Sequence, residues 1–213
     1  MRRSGLSRTE VSDKTGISSG EGLTRILKSL ENSEFILKYR PFNNAKSQSL
    51  YKLIDPFCIS HLKFAGALQQ YDEQFWQHYL DSPAFAAWKG IAFVEVCMLH
   101  VKQIKQALQV GGVHSVHHGV TLSSDENHEA TQIDLLISRS DNVVNLCEMK
   151  FSNAEFEIDK SYDKILRNRI SLLEKQLKKT QCIHLTFITP FGVKQNVYAG
   201  IVQNNLTIDD LFN

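Results

Sequence analysis

Two short apolar segments of this chain carry charge where strands normally reject it. Gln132-Ile133-Asp134-Leu135-Leu136-Ile137 is followed, across the polar turn Ser140-Asp141-Asn142, by Val143-Val144-Asn145-Leu146-Cys147-Glu148-Met149-Lys150. Both segments are aliphatic and β-branched, so they read as an antiparallel hairpin. Side chains alternate along a strand, which puts Glu148 and Lys150 on one face with Val144 and Leu146, and Cys147, Met149 and Phe151 on the other. Loop length then decides the partner. A three-residue loop, Ser140 to Asn142, pairs position 139 with 143 and sets Asp134 opposite Glu148. A two-residue loop slips the register and turns Asp134 to the opposite face.

Two carboxylates held side by side repel unless a cation lies between them, and oxygen ligands suit a hard ion such as magnesium, with manganese as a substitute. A neighbouring lysine can orient a water or stabilise charge developing on a phosphate oxygen. Metal-assisted phosphodiester hydrolysis needs these groups. Glu148-Met149-Lys150 is the only Asp/Glu-x-Lys triplet in the chain, and it falls on an expected core strand. With Asp134 on the preceding strand, it resembles the core of the PD-(D/E)XK nuclease superfamily. The pattern alone also fits a half-exposed salt bridge on a sheet face.

The chain has 213 residues, 42% of them hydrophobic, enough for one large domain or two small ones. A net charge of +1 exerts no global pull toward nucleic acid, so any such contact has to come from local patches. Cys58, Cys97, Cys147 and Cys182 are isolated, with no Cys-x-x-Cys spacing, and read as buried free thiols of a cytoplasmic protein. The start of the chain is polar and basic, and no apolar run approaches membrane-spanning length, so neither secretion nor a membrane partner is expected.

Residues 1–55 read as a winged helix-turn-helix. Ser7-Arg8-Thr9-Glu10 is a capping box opening a helix that ends near Gly16, and Leu23, Ile26, Leu27 and Leu30 mark a second helix. Strands at 35–39 and 49–54 follow, around a turn at 43–47. Arg25 and Lys28 on the second helix, with Lys38, Arg40 and Lys46 on the wing, form a candidate phosphate-contacting set, or else the solvated face of a protein-contact module. Residues 56–82 read as a connecting helix whose Phe57, Leu62, Phe64, Leu68, Phe75 and Trp76 pack one domain against the other.

Residues 83–213 read as a mixed-sheet nuclease-like domain. Ser82-Pro83 caps a long helix expected to run to Gly111-Gly112. Glu95 is the only acid between Asp81 and Asp125, and a metal or a basic partner would offset the cost of burying it. A strand is expected at 113–122, beside His114, His117 and His118, whose rings cannot all face one way on a strand. After Lys150, an amphipathic helix carries Tyr162, Ile165, Leu166 and Leu173 inward, with Lys160, Lys164, Arg167, Arg169, Lys175, Lys178 and Lys179 on its other side. Lys164 and Arg167 are candidates for holding a phosphate backbone. A parallel strand at 182–189 should follow, then a strand at 198–203 and a capped turn at 207–212.

This order of elements matches the αβββαβ core of the superfamily named above. More closely, the chain resembles the C-terminal region of a family of archaeal-type P-loop ATPases, in which a winged helix and a PD-(D/E)XK-like domain follow the ATPase domain. The resemblance runs through Gly22-Leu23-Thr24-Arg25-Ile26-Leu27, Ser49-Leu50-Tyr51-Lys52-Leu53-Ile54-Asp55, Trp88-Lys89-Gly90 to Cys97 with Gln103-Ile104-Lys105, and both hairpin strands. It implies an α/β (α+β) protein acting on DNA with magnesium or manganese, with Asp134 and Glu148 as metal ligands, Lys150 catalytic and Glu95 an auxiliary acid. The alternative is a catalytically decayed nuclease fold serving as the DNA-binding or regulatory region of an ATPase. No Gly-x-x-x-x-Gly-Lys-Ser/Thr is present, so no ATP site is expected in this chain, and a P-loop ATPase domain or protein becomes a candidate partner. Similar sequences carry the helix Glu directly after the Phe, where this chain has Val94, with Glu95 about 100° further around the helix.

Overall fold

Capping and chain reversal set the first elements. A computed structural model describes residues 5–39, 49–68, 74–122, 124, 126 and 128–212. Strand β1 (Leu6–Ser7) leads into helix α1 (Arg8–Thr15) through the expected capping box, Ser7 accepting from the Glu10 amide and Glu10 from the Ser7 amide. Gly16 closes α1 at a φ of 70°, the left-handed conformation that favours glycine. Helix α2 (Glu21–Asn32) buries Leu23 and Leu27, while Ile26 and Leu30 stay exposed. Strands β2 (Ile36–Tyr39) and β3 (Leu50–Leu53) pair antiparallel, and β1 adds to the other edge of β3.

The register of this ribbon gives it two faces. Leu37 opposes Lys52 and Tyr39 opposes Leu50, so these four share one side; Lys38 opposes Tyr51 on the other. Lys38 is exposed, its ammonium 5.9 Å from the centre of the Tyr51 ring.

Helix α3 (Pro56–Leu68) is followed by α4 (Phe75–Tyr79) and α5 (Pro83–Leu99). Phe64 is buried against Phe85, Tyr79 and Trp88, with ring centroids 5.7 Å from Tyr79 and 6.1 Å from Trp88. Phe57 and Leu62, expected from the sequence to pack between domains, are instead exposed. The side chains of Leu68, Phe75 and Trp76 lie outside the described residues.

Instead of running to Gly111, α5 stops at Leu99, and α6 (Val101–Ala107) leaves at 74°. The cause is local. His100 Nδ1 bonds to the Val96 carbonyl at 2.7 Å, while the His100 amide turns to Cys97, tightening the last turn. No single helix among the described residues is long and apolar enough to cross a membrane.

Strands β4 (Ser115–Leu122), β5 (Thr131–Arg139) and β6 (Val143–Met149) form an antiparallel meander. Helix α7 (Lys160–Glu174), capped by Asp159, crosses to β7 (Cys182–Ile188), which runs parallel to β6. Strand β8 (Asn204–Leu206) adds parallel to β7, completing a mixed five-stranded sheet in the order β4-β5-β6-β7-β8. The strand expected at 198–203 is instead a 3-10 turn, Ala199–Ile201, and the pairing strand begins at Asn204. Asp210 caps the last turn by accepting from the Thr207 amide at 2.7 Å.

The sheet is covered on both sides. Leu136, Val144, Leu146 and Phe187 pack with Leu166 and Leu173 of α7, whereas Leu135, Ile137, Cys147 and Met149 pack with Phe93, Cys97 and Ile104 of α5 and α6. Each such fully buried side chain contributes about 1.5–3 kcal/mol, so the strands bearing Asp134 and Glu148 are held firmly. Of the thiols, Cys97 and Cys147 are buried as expected; Cys58 is half-buried and Cys182 exposed, because Cys182 opens β7 at the rim of the sheet.

Candidate functional site

Loop geometry sets the register on which the site depends. Asn142 has a φ of 65°, the left-handed residue that closes a three-residue hairpin loop. Leu135 therefore faces Cys147 and Leu136 faces Leu146, the register of a three-residue loop, and the ladder ends at the Leu135–Cys147 pair, one residue short of Asp134 and Glu148. On its other edge β5 is bulged: His118 faces Leu136 and Val120 faces Ile133, leaving Asp134 and Leu135 together opposite Gly119. A bulge re-aims side chains, and this one puts Ile133 and Leu136 in the same core layer on either side of it. Asp134 Oδ1 accepts from Gln132 Nε2 at 3.1 Å.

Glu148 is only 6% exposed and fully engaged. Its Oε1 takes the Tyr162 hydroxyl and lies 3.1 Å from Lys150 Nζ; its Oε2 takes Nη1 of Arg169. Arg169 also donates Nε–H to Thr131 Oγ1 at 2.9 Å. Burial by itself would push the Glu148 carboxyl up, but Arg169, Lys150 and Tyr162 outweigh it and hold the group below the ordinary carboxylate range. The Tyr162 phenol moves the opposite way, raised by burial and by Glu148. The Lys150 ammonium lies 5.4 Å from the Tyr162 ring centroid.

Glu95 is 3% exposed, with Oε1 2.9 Å from Lys52 Nζ. Its Oε2 is buried without a hydrogen-bond partner among the described residues. Burial raises the Glu95 carboxyl; Lys52 offsets this in part, and the charge of Asp134 adds to it. Asp134 also acts on Arg169 and, with Glu95, on Tyr39, whose phenol is pushed up to about 12 chiefly by burial. Asp134 thus lies within electrostatic reach of both Glu95 on α5 and Arg169 on α7. Val94, in the place the resemblance reserves for the helix acid, packs partly against the core on the α5 and α6 side.

Of the candidates, Glu148 and Lys150 are in contact, and Asp134 lies within electrostatic reach of Glu95. Arg25, Lys28, Lys38 and Lys164 are exposed, and Arg167 pairs with Asp163 at 2.8 Å. Arg40 and Lys46 lie outside the described residues.

Arg169, Tyr162, Thr131, Gln132, Tyr39 and Lys52 join the site without having been expected there from sequence. Arg169, expected on the solvated side of its helix, faces the sheet; Ile165, expected inward, is exposed. The signal for Arg169 lies in the spacing, since Tyr162, Leu166, Arg169 and Leu173 recur at helical intervals on one face. Nothing local points to Tyr39 or Lys52, which come from the far end of the chain.

Glu95 thus pairs with Lys52 and Glu148 with Lys150 and Arg169, while Asp134 acts on Glu95 and Arg169 through its charge. Among the described residues no group of three or more His, Cys, Asp or Glu side chains is gathered into a metal cage, His114, His117 and His118 included. No family model matches the chain, and no curated protein matches it.

Proposed function

We propose that this chain is a nucleic-acid-associated module whose carboxylate cluster hydrolyses DNA phosphodiesters with magnesium or manganese, in the manner of the PD-(D/E)XK nucleases. The observation that carries this reading is the Glu148–Lys150 pair, 3.1 Å apart at the end of β6, on the strand beside the β5 bulge that bears Asp134. The element order supports it: helix, three antiparallel strands, helix and parallel strand. Two helices followed by a ribbon support a winged helix in residues 1–55, joined by 56–82 to a nuclease-like domain in 83–213.

The donors suit a hard divalent cation, being carboxylate oxygens of which one, Glu95 Oε2, is buried and unpartnered among the described residues. Asp134 and Glu148 would hold the ion, with Glu95 beside them. Bound there, it would supply Lewis-acid stabilisation of the phosphate and a more acidic water. Lys150 would orient the attacking water or stabilise charge on a phosphate oxygen. Arg169 keeps Glu148 ionised and fixes its rotamer. Arg25, Lys28 and Lys38, with Lys164 and Arg167 of α7, would neutralise backbone phosphates. A P-loop ATPase domain or protein is the partner to which the resemblance points.

A second reading, the catalytically decayed fold acting as a DNA-binding or regulatory region, is favoured by one observation. Glu148 and Glu95 already have internal cations, Arg169 and Lys52, so the cluster is neutralised without a metal.

Plasmid cleavage with magnesium or manganese, run beside Lys150→Ala, separates the two. Metal-dependent nicking that is lost in the variant supports catalysis. Absence of cleavage by the native chain, with salt-dependent DNA binding that survives Glu148→Ala, supports the binding module instead.

A further inference from the structure

The ribbon β2–β3 does more than extend the N-terminal sheet. The face that carries Leu37, Tyr39, Leu50 and Lys52 is turned onto Glu95 and the bulge that bears Asp134. Lys52 Nζ is 2.9 Å from Glu95 Oε1, and the two side chains are 12% and 4% exposed. The Tyr39 ring lies over Gly119, where an added Cβ would come within 3.1 Å of Cε2 and 3.6 Å of the Asp134 carbonyl oxygen. Gly119 is the residue opposite the bulge that bears Asp134, so the absence of a side chain there is what lets the ring seat so closely. Lys38, by contrast, points away from this seat into solvent.

A lysine ammonium against a buried carboxylate whose second oxygen is unpartnered among the described residues occupies a cation position without filling it. We propose that the ribbon is an internal plug for the carboxylate site. Lys52 stands in for a divalent cation at Glu95, Tyr39 closes the bulge at Asp134, and a metal ion binds only as the ribbon lifts. This rests on the metal-site reading above and assigns its regulation. Glu95, which lies within electrostatic reach of Asp134, is held by the plug. The observed affinity for a divalent ion is then lowered by the fraction of molecules in which the ribbon is seated.

The test is calorimetric titration of the full chain with manganese alone, for the native protein, Lys52→Met, Tyr39→Ala and Asp134→Asn, with circular dichroism to establish folding. Lys52→Met should bind manganese about tenfold more tightly, within the ordinary range of coupling between sites. Tyr39→Ala should shift affinity in the same direction while leaving every charge in place, and it carries the test if Lys52→Met fails to fold. In the native chain, saturating manganese should speed amide exchange in 36–39 and 115–122. If Asp134→Asn abolishes binding but both ribbon variants bind as the native chain does, the site stands and the plug is wrong. If neither the native chain nor the ribbon variants bind manganese, the metal-site reading falls and the plug falls with it.

Discussion

Arg169 on α7 donates to Glu148 Oε2 on β6 and, through its Nε, to Thr131 Oγ1 on β5, so one guanidinium clamps the helix to two strands at the mouth of the site. With Lys150 and Tyr162, it holds a buried carboxylate below its ordinary range against the cost of burial.

Arg169→Ala should leave Glu148 buried with only Lys150 and Tyr162 as partners, at a cost of about 3 kcal/mol. Arg169→Lys should restore only part of the loss, because an ammonium cannot reproduce the forked geometry toward Glu148 and Thr131. Urea unfolding of the three proteins measures both effects. A native-like midpoint for Arg169→Ala would show that the clamp is dispensable.

Two buried acids should give opposite pH slopes. The Glu148 carboxyl is held below its ordinary value of 4.5, so its stabilisation is present above 4.5 and is lost as pH falls through the folded value. The stability difference between the native chain and Glu148→Gln should therefore shrink on acidification. Glu95 is raised above 4.5, so its contribution is present below 4.5 and is lost as pH rises through its folded value. The native chain should then weaken relative to Glu95→Gln over that rise. Denaturant midpoints measured across the acid range check both signs.

The Tyr39 phenol should titrate near pH 12, held up first by burial and then by Asp134 and Glu95. Asp134→Asn should lower this value while leaving most of the shift, because burial is the larger cause. NMR of ring-labelled tyrosine follows the titration directly. An unshifted Tyr39 in the native chain would mean that the ribbon does not seat on the sheet in solution.

Gly5 and Gly16 share a φ of 70°, but a Cβ at Gly5 would come 2.7 Å from the Tyr51 carbonyl oxygen, whereas at Gly16 it would meet nothing within 4 Å. Gly16→Ala should cost about 1 kcal/mol for its left-handed backbone alone. Gly5→Ala should cost more, because it also forces β1 from β3. Thermal melts of the two variants rank them, and equal losses would show that β1 contributes little to stability.

Part of the site is legible in the sequence. Polar Ser140-Asp141-Asn142 allows a three-residue loop, which sets the register from Leu135 to Ser138, and period-two alternation puts Glu148 and Lys150 on one face; the β5 bulge at Asp134 breaks that alternation and is not legible there. The α1 capping box and the parallel return of β7 are plain. The strand expected at 198–203 and the unbroken helix to Gly111 both fail because hydrophobic pattern reports burial but not side-chain capture of the backbone: Asn196 Oδ1 accepts from the Tyr198 and Ala199 amides, and His100 Nδ1 bonds to the Val96 carbonyl.

The chain's own pattern determined the register of the β5–β6 hairpin from Leu135 to Ser138 and the shared face of Glu148 and Lys150, because these follow from rise, period and loop length within a few neighbouring residues. Tertiary structure alone decided which cation meets which acid. Arg169 reaches Glu148, and Lys52 reaches Glu95, only where α7 crosses the sheet and the ribbon lies upon it. Those crossings are set by the fit of whole packed surfaces, to which no local stretch of sequence has access.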